Sequence, residues 1–120
     1  MIERLRGGLV VSIQPEASSA LNSPETVALL ARCAVANGAV GVRIEGGARI
    51  AAVRAAVDVP IVGLVKRAYP GFEPYITPTA RELDEAASAG AEIIAFDATA
   101  RPQPSACDVA GTVAAVVARG

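Results

Sequence analysis

Polar groups interrupt four apolar runs of this sequence, each time at the C-terminal end of the run. Gln14 follows Leu9–Ile13. Arg43 and Glu45 close Val40–Ile44, Lys66 and Arg67 follow Ile61–Val65, and Asp97 follows Ile93–Phe96. The sequence contains no histidine, so the commonest general base and metal ligand is missing. Proton transfer would fall to Lys, Asp, Glu, Tyr, Ser or Thr. Arg43, Lys66 and Arg67 place cations at these ends, with Glu45 and Asp97 as acids nearby.

Side-chain alternation groups these residues further. Gly41, Arg43 and Glu45 share one strand face, as do Val62, Leu64 and Lys66, and Ile93, Ala95 and Asp97. A curved parallel sheet would bring Arg43, Lys66 and Asp97 to one rim. Each has a plainer reading alone: Lys66 as a snorkelling surface lysine, Arg43 and Glu45 as ionic partners of each other or of Asp97, Gln14 as support for the turn at Pro15. The same edge is marked on all four runs, and parallel α/β folds gather ligands there; a ligand site is the better reading. Gly46-Gly47 lacks the surrounding pattern of a phosphate loop and reads as a plain connection. Tyr69, Phe72 and Tyr75 fall in a Pro-rich loop and read as packing beneath it ahead of covering a substrate.

The runs themselves are dense in Val and Ile without clean alternation, as in strands covered on both faces. Strands are expected near 9–13, 40–44, 61–65 and 93–96, each followed by a helix. Val27, Leu30, Ala31 and Ala34 form the first helical stripe, with Ser23 as cap, Pro24 in the first turn, Glu25 at the positive end and Gly38 at the stop. A second helix is expected over 48–56 on Ile50 and Val53. Thr79-Ala80-Arg81-Glu82 has the spacing of a capping box, with Gly90 ending the third. The fourth should start near Ser105, with Val109, Val113, Val116 and Val117 on one face. Four βα units in one domain over 1–120 follow. That is half of an eight-stranded barrel, which takes ~250 residues. A truncated product, or a half that associates with another half, is expected ahead of a small open sandwich, because a curved half-sheet exposes an apolar face.

Composition narrows the function classes. With a net charge of −1 and scattered cations, the chain has no electrostatic footprint for nucleic acid or anionic lipid. No apolar run reaches the ~20 residues of a bilayer span. The first twenty residues faintly mimic a signal peptide, but Gln14-Pro15-Glu16 interrupts them, and a first strand is the better reading. Cys33 and Cys107 lie far apart with no CxxC spacing, so a disulfide framework or thiolate metal site is disfavoured and a reducing cytoplasm fits. Both read as core or helix-face residues.

Four segments also resemble a known family. Gly8-Leu9-Val10-Val11-Ser12-Ile13-Gln14-Pro15 looks like the first-strand signature of N-acetylmannosamine-6-phosphate 2-epimerases. Gly41-Val42-Arg43-Ile44-Glu45-Gly46 and Pro60-Ile61-Val62-Gly63-Leu64-Val65-Lys66-Arg67 are similar to the second and third. The run from Gly90 to Thr99, with Arg101-Pro102, resembles the fourth. The resemblance implies the N-terminal half of a (β/α)₈ barrel and an isomerase of a phosphorylated amino sugar that acts in sialic acid catabolism without metal or organic cofactor. It implies Lys66 as the acid/base, with Gln14 and Arg43 in contact with substrate; Glu45 and Asp97 are the further candidates from the rim. For the implied chemistry, a lysine can take a proton beside a carbonyl when burial and a cationic neighbour, Arg43 or Arg67, bring its basicity near the working pH. A cation facing the carbonyl oxygen would also stabilise the developing charge. It also implies that a catalytic glutamate and the phosphate-binding loops belong to the other half of the barrel, without counterparts in these residues. The chain is therefore expected to be inactive alone, and to form a homo-oligomer or join a complementary half-barrel. The competing readings are a Schiff-base sugar-phosphate lyase acting through Lys66 and a non-catalytic half-barrel that self-associates.

Overall fold

The computed structural model describes residues 1–104 together with 110, 111, 113 and 114. Four parallel strands, β1 (Val10–Ile13), β2 (Gly41–Glu45), β3 (Ile61–Leu64) and β4 (Ile93–Ile94), lie side by side in chain order. The helices α1 (Pro24–Ala36), α2 (Gly47–Ala56) and α3 (Ala80–Ser88) connect them. This is an open run of βα units. Ser105, Cys107, Val109, Val116 and Val117, on which the fourth helix was expected, lie outside the described residues; residues 110, 111, 113 and 114 are helical.

Local signals account for the helix ends. Ser23 Oγ accepts the Thr26 N–H at 3.2 Å, and Pro24 opens α1 where its missing N–H is harmless. The capping box at α3 is complete: Thr79 takes the incoming backbone N–H groups, while Glu82 reaches back to the Thr79 N–H at 3.1 Å. Gly38 and Gly90 take φ of 100° and 107° just past α1 and α3, a conformation that favours glycine.

The register fixes which side chains share a face. Ser12 pairs with Arg43, Arg43 with Val62, and Val62 with Ile93, so these look away from the helices. The other face carries Ile13, Val42, Ile44, Ile61 and Val65, which pack with Val27 and Ala31 of α1, Ile50 and Val53 of α2 and Ala86 of α3. Gly63 belongs to this layer. A Cβ there would stand 2.5 Å from the Ala91 Cβ and 3.0 Å from Ile50 Cδ1, so a side chain would push the α2–α3 layer off the sheet. Leu5, in the 3₁₀ turn Ile2–Leu5, packs across Gly41 at the N-terminal end of the opposite face.

The fourth strand is shorter than the apolar run predicts. Beyond Gly63 and Ile94, residues 75–77 enter between the ends of β3 and β4. Lys66 bridges Ile76 in antiparallel fashion, the Thr77 N–H donates to the Val65 carbonyl at 2.7 Å, and the Asp97 N–H donates to the Ile76 carbonyl at 3.1 Å. Thr77, buried with φ of 46°, also donates its hydroxyl to the Ala95 carbonyl at 2.6 Å. Asp97 therefore pairs with the intervening loop in place of β3, while the Ala95 N–H still donates to the Gly63 carbonyl at 2.9 Å.

Candidate active site

Three strand ends meet around one cleft. Gln14 follows β1, Glu45 ends β2 and Lys66 stands two residues past β3; they line a cavity of ≈ 380 Å³ together with Pro15, Glu16, Ala17, Asn22 and Arg49. Gln14 Nε2 donates to Ser12 Oγ at 2.7 Å, which ties its amide to the cross-strand neighbour of Arg43. The Lys66 side chain is exposed to the cleft, while its backbone N–H donates to Glu45 Oε1 at 3.1 Å. Glu45 Oε2 accepts Arg49 Nη2 at 2.5 Å, and Arg49 Nε donates to the Glu45 carbonyl at 2.7 Å.

Arg43 shares the cleft-side face with Ser12 and Val62 but does not line the cavity, and it forms no salt bridge among the described residues. Asp97 stands apart as well. Its carboxylate accepts the Thr99 N–H at 2.8 Å and Arg101 Nη2 at 2.6 Å. The hydrogen bonds from Thr99, aided by the Arg101 guanidinium, hold the Asp97 carboxyl below the usual carboxylate range. Glu45 and Asp97 thus each have an arginine four residues on; neither pairs with Arg43.

Arg67 takes a different part from the one its position beside Lys66 suggests. It points to the other side of the strand, where Nη1 donates to Glu82 Oε1 at 2.6 Å and Nη2 to Glu85 Oε2 at 3.3 Å. Glu82 is fully buried and accepts the Tyr69 hydroxyl at 2.8 Å as well as Thr79. Burial pushes the Glu82 carboxyl up, and the donors from Thr79, Tyr69 and Arg67 outweigh it, leaving the group below its ordinary value. The hydrogen bond to Glu82 raises Arg67 in turn, against the burial that opposes it. Tyr69 therefore packs beneath its loop, while Phe72 and Tyr75 are exposed. Cys33 lies exposed on α1, not in the core.

The unforeseen members of the cleft are Arg49, Asn22, Glu16 and Ala17. Arg49 carried a signal: it stands four residues from Glu45 with Gly46-Gly47 between, a spacing that lets a first-turn helix residue fold back onto the strand end.

A family model described as "Putative N-acetylmannosamine-6-phosphate epimerase" matches residues 27–117. The chain belongs to this family. Curated relatives named "Putative N-acetylmannosamine-6-phosphate 2-epimerase", from Yersinia pestis (strain Pestoides F) and Yersinia pseudotuberculosis serotype O:1b (strain IP 31758), are each 50% identical over 101 residues. That alignment takes in 84% of this chain and 43% of the relative. The solved N-acetylmannosamine-6-phosphate 2-epimerase from Clostridium perfringens superposes with a TM-score of 0.94 at 34% identity, over 99% of this chain and 52% of that one. The chain thus spans less than half the length of the curated epimerases it matches. Its four parallel strands and the helices between them correspond to about half of a barrel-type member of the family. Among the described residues no helix is long and apolar enough to cross a membrane.

Proposed function

We propose that this chain supplies the Lys66 side of an epimerase active site that interconverts N-acetylmannosamine 6-phosphate and N-acetylglucosamine 6-phosphate, in the cytoplasmic breakdown of amino sugars such as sialic acid. The observation that carries the reading is the convergence of Gln14, Glu45 and Lys66 on one cleft at the C-terminal sheet edge, in a chain of this family. Lys66 would transfer the proton on one face of the acetamido-bearing carbon, with delivery on the opposite face falling to a second group. Gln14 would hydrogen-bond the sugar, and Arg43, on the same strand face, would stabilise the enolate-like oxygen. Glu45 and Asp97 are the acids of this rim, Glu45 lining the cleft and Asp97 standing beyond it.

Inversion at a planar carbon requires protons on both faces, and Lys66 serves one. We infer that turnover needs four further βα units docked on the face that carries Val10, Arg43, Val62 and Ile93. The test is deuterium incorporation at the acetamido-bearing carbon in heavy water, followed by proton NMR with N-acetylmannosamine 6-phosphate. The expected result is none by the chain alone, incorporation when a complementary half-barrel is added, and at least a ~100-fold loss in the complemented Lys66→Ala protein, the usual scale of a general acid–base contribution. Undiminished incorporation with Lys66→Ala would remove the lysine from the chemistry.

A further inference from the structure

We infer that Glu45 and Arg49 form a positioning bracket for Lys66, a role that rests on the proposed function of that lysine and concerns its backbone. The parallel ladder between β2 and β3 runs on to the Gly46 N–H, which donates to the Leu64 carbonyl at 2.9 Å. One more rung would send the Lys66 N–H to the Gly46 carbonyl. That carbonyl is already taken, because it accepts the Ile50 N–H at 2.9 Å and so starts α2. The chain turns into a helix one rung before the lysine. The Glu45 carboxylate supplies the missing acceptor, taking the Lys66 N–H at 3.1 Å.

A free carboxylate would be a poor strut. Arg49 fixes it by two bonds, one to the Glu45 carbonyl at 2.7 Å and one to Oε2 at 2.5 Å, with the two side chains only 22% and 18% exposed. Gly46 makes room: it holds φ of +87°, and a Cβ there would run into the Arg49 guanidinium. On its other edge Lys66 is held by the bridge to Ile76. The lysine backbone is thus clamped from both sides, and its side chain is aimed into the cleft. Glu45 and Arg49 act through Lys66, as a supporting shell that keeps a reacting group in register.

Lys66 is the only lysine in the sequence, so reductive ¹³C-methylation labels one side-chain amine. Two NMR measurements on the full chain test the bracket. Amide exchange of the Lys66 N–H should accelerate ~10-fold or more in Glu45→Ala, and in Arg49→Ala to a smaller extent, as expected for losing one hydrogen bond to a charged acceptor. Glu45→Gln, which keeps an acceptor oxygen, should restore protection to within ~3-fold of the parent, since a neutral acceptor retains part of such a bond. In parallel, the dimethyl-Lys66 signal should collapse toward that of a freely rotating exposed lysine in the two alanine variants alone. Unchanged Lys66 exchange in Glu45→Ala overturns the proposal. So does an equal acceleration at the Gly63 amide, which would mark general loosening, or a dimethyl signal that ignores the substitutions. No turnover is measured, so a failed bracket and a failed epimerase reading remain separately readable.

Discussion

At the scale of single residues, burial and hydrogen bonding decide which charges brace the fold and which face the cleft. Glu82 is fully buried and takes four donors from Thr79, Tyr69 and Arg67, so it braces the loop after β3. Its carboxyl sits below the ordinary value in the folded chain. The stability it contributes is therefore fully present above the unfolded glutamate value of about 4.3 and is lost as pH falls through the lower folded value. Urea unfolding between pH 7 and pH 3 should show this decline, and Glu82→Gln should flatten it. At pH 7 the same variant should cost about 2–3 kcal/mol, less than the ~3–5 kcal/mol of breaking a fully buried pair, because Arg67 is 35% exposed. Sequence alternation made Gln14, Glu45 and Lys66 legible, since each stands at a strand end on the face opposite the core. The same alternation sends Arg67 the other way from Lys66, and the expectation of a cationic neighbour there neglected it. Arg49 and Arg101 escaped because their ion pairs form four residues on, in a helix turn and a loop that strand periodicity does not describe.

At the scale of elements, the capped helices and the first three strands followed from caps, glycine stops and apolar runs, all local signals. The truncation of β4 did not, because it is caused by residues 75–77, nearly twenty positions upstream, pairing where the strand would have continued. No local pattern announces a non-local competitor for a ladder. Packing between the layers yields a second prediction. Gly63→Ala places a methyl group against Ala91 and Ile50, and overpacking of this kind should cost about 1–3 kcal/mol with the spectroscopic helix content retained. A midpoint shift in urea at constant slope would measure it; a neutral result would mean that α2 and α3 can move aside.

At the scale of the whole molecule, the sheet has helices on one face and keeps Val10, Arg43, Val62 and Ile93 half-buried on the other. Sedimentation should show species above the 12.1 kDa monomer, converting to a complex of defined stoichiometry when a complementary half-barrel is supplied, and Val62→Glu should weaken both. A dilute monomer indifferent to the added half would contradict a docking role for this face. The stitch of Ile76 between Lys66 and Asp97 has a consequence for reach. One row of backbone stands between those residues, so two strand spacings, roughly 10 Å, separate their main chains, and a ligand that reached from one to the other would have to be extended, on the scale of an uncoiled sugar chain.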